Sequence, residues 1–169
     1  MAPLIALVGS FLLFRALGAL RVSSFRSWIT SLRWALAVMF LLTASAHFGS
    51  RRADLVEMVP PFFPAPELLV TLTGIAEILG AIGLVVRRFA PWAATGLALL
   101  LVAIFPANVH AAREGLSIGG SAVTPLAPRA VLQAVFLAAV LVAGFWDRRR
   151  ARAARPERRP EPGERARVA

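Results

Sequence analysis

An acidic residue, Glu77, sits in the middle of an apolar run that extends from Pro66 to Val86. A helix crosses a bilayer with about 20 predominantly apolar residues, and this run supplies them. A carboxylate at the centre of such a helix costs roughly 2.5–3.5 kcal/mol on insertion scales, so it faces protein or a water-filled cavity and not lipid. Thr73, Gly74, Gly80 and Ala81 lie three or four positions away and share its face. They are small enough to admit a neighbouring helix. Ile75, Leu79, Ile82 and Val86 form the opposite face. The run therefore predicts a spanning helix with its Glu77 side turned into a bundle.

The rest of the chain supplies the bundle. Hydrophobic residues make up 58% of the 169 positions, against about 45–50% in soluble domains, and they fall in blocks. Further spans are read at residues 3–20, 29–48, 91–112 and 129–146. A signal peptide would carry its positive charge before the apolar core; here Arg21 and Arg26 follow it, so a retained first span is expected. In the connection from Gly49 to Ala65, residues 51–58 read as a short interfacial helix. Pro60, Pro61, Pro64 and Pro66 then exclude regular helix, each lacking a backbone N–H. Pro106 bends the fourth span. Glycines and prolines mark a second loop between Arg113 and Pro128. Residues 147–169 are rich in Arg, Pro and Glu without apolar period and read as a disordered basic tail. The expected fold is all-α: a four-span transmembrane helix bundle over 29–146, preceded by an extra span and basic link over 1–28.

Charge sets the orientation. Nine of the 19 basic residues fall in the last 22 positions, and all 19 are arginine. A basic tail beside a span is an orientation signal and an anionic-lipid contact, not a nucleic-acid footprint. Arg21, Arg26, Arg33, Arg87, Arg88 and the tail fall on one side. Arg51, Arg52, Arg113 and Arg129 fall on the other, offset by Asp54, Glu57, Glu67 and Glu114. The positive-inside rule predicts a cytoplasmic C-terminus and, with five spans, an outside N-terminus. The chain has no cysteine, which excludes disulfides, thiol catalysis and cysteine-held iron–sulfur clusters within it.

Two polar groupings follow. Arg15, about a dozen residues into the first span, is placed near the depth of Glu77 by the helical rise of about 1.5 Å per residue. An ion pair with Glu77 is expected from Arg15 or, as its rival, from Arg33, since each charge is costly alone. Arg33 also lies near enough to its span's end to reach the headgroups. His47, Asn108, His110 and Gln133 lie toward the outer ends of their spans. With Glu77 they form a candidate pocket for a small polar or quinone-like headgroup. His47 and His110 also end the first limbs of two hairpins, each followed by a proline, in a weak internal repeat. Two histidines at matched depth is a b-haem arrangement, but no further signature accompanies it. The plain alternatives are an interfacial histidine, an Asn108 that caps backbone freed by Pro106, and a structural ion pair. No metal, nucleotide-phosphate or hydrolase motif is present.

The run from Arg33 to Phe48, the segment from Leu55 to Pro60, the stretch from Gly74 to Leu84 and the segment from Phe105 to Val109 together resemble the DoxX family of bacterial membrane proteins. The similarity covers roughly 29–146. The family pattern is a four-span bundle, with an arginine opening the first span and Gly-x-x-Glu in the second; here these fall on Arg33 and on Gly74 to Glu77. The extra N-terminal span is similar to that of a subgroup. The resemblance implies a bacterial inner-membrane protein. Some relatives are linked to thiosulfate:quinone oxidoreductase and others to oxidative-stress complexes, roles that need a partner catalytic subunit. The expected function is therefore a non-catalytic membrane subunit or small-molecule-binding module. A quinone-reactive oxidoreductase subunit, with Glu77 and a histidine relaying protons, is the alternative. A small transporter, which would have to assemble as a homo-oligomer, is the third reading.

Overall fold

The computed structural model describes residues 2–122 and 124–153, with side chains as far as Asp147. It is an all-α bundle with five helical spans: Ala2–Ala19, Trp28–Phe48, Pro66–Val85, Ala90–Arg113 and Leu126–Asp147. The first two are α1 (Ala2–Ala19) and α2 (Trp28–Phe48). A short helix, α3 (Arg52–Glu57), precedes α4 (Pro66–Val85). The fourth span is divided into α5 (Ala90–Ala103) and α6 (Phe105–Arg113). A small hairpin, β1 (Ser117–Ile118) and β2 (Ser121–Ala122), leads to α7 (Leu126–Ala153). Of the tail expected from Asp147, residues 147–153 are instead helical, as the end of α7; residues 154–169 lie outside the described residues.

Helices α2, α4, α5 and α7 close a ring in which each packs on its sequence neighbour and α2 meets α7; α1 lies outside, against α2. Among apolar lipid tails the hydrophobic effect does not drive helices together, so close packing must. Small residues supply it. A methyl group added to Gly80 would collide with Leu97, one on Gly83 with Ala93, and one on Gly144 with Ala94. On α5, Ala90, Ala94, Leu97 and Leu101 are buried at helical spacing. On α4 the predicted faces hold: Gly74, Glu77, Gly80 and Ala81 are buried, while Ile75, Leu79 and Ile82 are exposed.

One end of the bundle is basic and aromatic. There Arg33 is only 5% exposed. It does not run to the surface but turns inward, donating from Nε to the Ala143 carbonyl (2.9 Å) and from Nη2 to Asp147 Oδ2 (3.1 Å). Arg87, on the connection from α4 to α5, approaches the same carboxylate at 3.7 Å from an exposed position. Trp28 and Trp146 meet edge to face with centroids 4.9 Å apart, and Phe14 stacks on Phe25. Arg15 donates to the carbonyls of Phe25 and Arg26 at 3.1 and 3.2 Å.

Both ion pairs expected with Glu77 are thereby corrected. Arg15 lies one turn from the end of α1, where the folded link between α1 and α2 offers it carbonyl acceptors. Arg33 is taken by α7.

Arg33→Ala should destabilise the bundle by roughly 1.5–3 kcal/mol, the range for hydrogen bonds to charged groups. Arg87→Ala should leave stability unchanged within error. Thermal unfolding in a mild detergent compares the two.

Candidate functional site

At the other end the bundle does not close. A cavity of about 1100 Å³ lies between α2, α4, α5–α6 and α7 in the halves away from the basic end. Its polar wall has two clusters.

The first lies between α2 and α4. Glu77 is 6% exposed and accepts a hydrogen bond from Thr43 Oγ1 at 2.8 Å. His47 Nε2 stands 3.8 Å from Glu77 Oε2, beyond hydrogen-bond length. His47 Nδ1 lies 2.8 Å from the Val70 carbonyl. A carbonyl only accepts, so Nδ1 carries a proton, and Nε2 is the ring nitrogen turned toward Glu77. Thr73 Oγ1 is 3.3 Å from the same Nδ1. Arg52 fastens the cluster from above, donating to the carbonyls of His47 (2.8 Å) and Glu67 (3.0 Å) and to Thr71 Oγ1 (2.9 Å). An arginine on the last carbonyls of a helix both caps it and suits its dipole. Gly74 makes room for the imidazole, since a methyl group there would overlap His47 Cβ.

The second cluster lies between α5–α6 and α7. Arg129 Nη1 donates to Asn108 Oδ1 at 2.6 Å, and Asn108 Nδ2 donates to Gln133 Oε1 at 3.2 Å. Gln133 Nε2 then donates to the Leu101 carbonyl at 2.5 Å. The helical ladder is interrupted at Ile104, just before Pro106. Gln133 therefore satisfies a carbonyl beside the break, the part that sequence reasoning offered to Asn108.

A lid covers the mouth. Gly119 and Gly120 both have positive φ, 58° and 75°, which suits a tight hairpin turn. The Gly119 amide donates to Asp54 Oδ2 at 2.7 Å, tying the hairpin to α3.

Four of the five candidate pocket residues, His47, Glu77, Asn108 and Gln133, line the cavity together. His110 does not, which corrects its inclusion. It follows Asn108 by two positions, about 200° around a helix, so facing the cavity with one turns the other away. The two histidines therefore do not share the cavity. Among the described residues no three His, Asp or Glu side chains gather as a metal site. Arg129 was read for orientation alone, although its spacing of four from Gln133 places both on one face. Thr43 bears the same spacing to His47.

The fold and cavity define a small multi-pass helical membrane protein with an internal chamber that carries two polar clusters. A family model described as "Domain of unknown function (DUF8561)" matches residues 36–149, and the chain belongs to that family. No curated protein and no solved structure matches it.

Gly74→Ala should displace His47 and cost roughly 1–3 kcal/mol, the usual range for overpacking. Thermal unfolding measures the cost, and the imidazole ¹⁵N spectrum should show loss of the single Nδ1–H tautomer.

Proposed function

We propose that this protein is a DoxX-like, non-catalytic membrane module that binds a small molecule in the cavity bounded by Glu77, His47, Asn108 and Gln133, and that it serves a partner catalytic subunit. The observation that carries this reading is a buried carboxylate in the wall of a chamber of about 1100 Å³. Ligand pockets span roughly 300–1,000 Å³ and combine apolar walls with a few fixed polar groups. Here Phe40, Met39, Leu101 and Phe136 supply the first, and two hydrogen-bonded clusters the second. A polar group inside a membrane is expensive and marks function by default. Native mass spectrometry of protein extracted gently from its own membranes tests this. A bound molecule should co-purify and be lost from the cavity-filling variants Ala107→Phe and Ala46→Phe, with folding checked by circular dichroism. A wild-type protein that emerges empty and takes up nothing from a membrane extract would overturn the reading.

One observation favours a quinone-reactive subunit as the second reading: His47 Nε2 faces Glu77 across 3.8 Å. A proton taken at either group passes to the other by a small shift. Co-purified quinone, with its loss in Glu77→Gln, would favour this reading over the first.

We place the chain in a bacterial inner membrane, its cavity facing outward and its C-terminus in the cytoplasm. Supporting this, the end joined by Arg33, Asp147 and Arg87 is also the end of Arg21, Arg26 and Arg88. The chain has no cysteine, so single cysteines report cleanly. In intact spheroplasts an impermeant maleimide should label Ser50→Cys and leave Ser24→Cys unlabelled until the membrane is broken.

A further inference from the structure

The two clusters differ in one respect. Glu77 has Thr43 as a donor at 2.8 Å and His47 beside it. Arg129 has no counter-ion: among the described residues no carboxylate lies within 4.0 Å of its guanidinium. Its Nε is fully buried and has no hydrogen-bond partner. Its Nη1 is held by Asn108, itself held by Gln133, itself anchored on the Leu101 carbonyl. This directed chain fixes the guanidinium without neutralising it. A buried donor without a partner is costly, more so on a charged group, and the half-buried guanidinium that carries it stands in the cavity wall with its charge unneutralised, poised for an incoming anion.

The surroundings describe the rest of the ligand. Arg129, Leu132, Gln133 and Phe136 all line the cavity from one face of α7. Phe136 is seven residues beyond Arg129, about 10 Å along the helix, and there Phe40 and Leu101 join it in an apolar chamber. Leu42 lines the same cavity and is 46% exposed.

We infer that the cavity takes an amphiphile with an anionic headgroup, a carboxylate or phosphate seated on Arg129 and an acyl tail laid toward Phe136. This rests on the reading of the cavity as a ligand site and names the ligand's class. The Glu77 carboxyl lies at the opposite cluster, so head and tail are not interchangeable. A free fatty acid and an acidic phospholipid share this chemistry.

The test uses the full chain in phosphatidylcholine nanodiscs with radiolabelled laurate, phosphatidylglycerol and dodecyltrimethylammonium. Laurate, phosphatidylglycerol or both should be retained, and the cation should not; laurate alone identifies a free acid, phosphatidylglycerol a membrane lipid. Arg129→Gln should weaken retention at least ~10-fold, about 1.4 kcal/mol, and Arg129→Lys should recover part of it. Equal retention of the cation would overturn the charge assignment and leave the cavity as a binding site. Anion preference that persists in Ala107→Phe would overturn it too, by locating the anion outside the chamber. Retention of none of the three would sink this inference, while the co-purification experiment would still judge the broader reading.

Discussion

The inward turn of Arg33 decides the shape of the molecule. Extended toward the headgroups, the side chain would leave α2 and α7 to meet through apolar contacts along their whole length. Instead it crosses to α7 and binds both a carbonyl and a carboxylate there. The two helices are drawn together at the basic end, where Trp28 and Trp146 also pack. Among the described residues no equivalent bond joins their other halves, which face each other across the cavity. A charge is costly in a bundle core, and a buried pair is retained only where its hydrogen bonds are met. Arg33 meets that condition by taking acceptors from a helix more than a hundred residues away.

How much of this was legible in the sequence depended on the range of the interaction. The spans followed from apolar runs, and the buried stripe of α4 followed from residue size at positions 74, 77, 80 and 81. The membership of His47, Glu77, Asn108 and Gln133 in one chamber followed from depth along their helices. Pairing did not. Depth made Arg15 the natural partner of Glu77 and Arg33 its rival, but ion pairing also requires facing, and facing depends on where other acceptors lie. Arg15 found carbonyls in a link that folds back on its own helix. Glu77 was met instead by Thr43, a hydroxyl whose significance appears only when α2 and α4 are placed side by side.

His110 and Arg129 failed in opposite directions for one reason. Each lies near a helix end, where a count of residues from the bilayer surface says little about azimuth. Asn108 and His110 cannot both look inward, and the hydrogen bonds that Asn108 accepts from Arg129 and donates to Gln133 show which does. Arg129 belonged to a tally of charges on one side of the membrane until its guanidinium was seen inside it.

The interruption at Ile104 has a mechanical meaning. It makes the fourth span two rods meeting at a joint, with the Ile104 carbonyl accepting the Asn108 amide across it. The lower rod is locked by Ala90, Ala94 and Leu97. The upper rod is amphipathic and buries Ala111 alone. Asn108 stands on the far rod, and its hydrogen bonds to Arg129 and Gln133 rivet that rod to α7, so the tether of the jointed span is also the polar wall of the chamber.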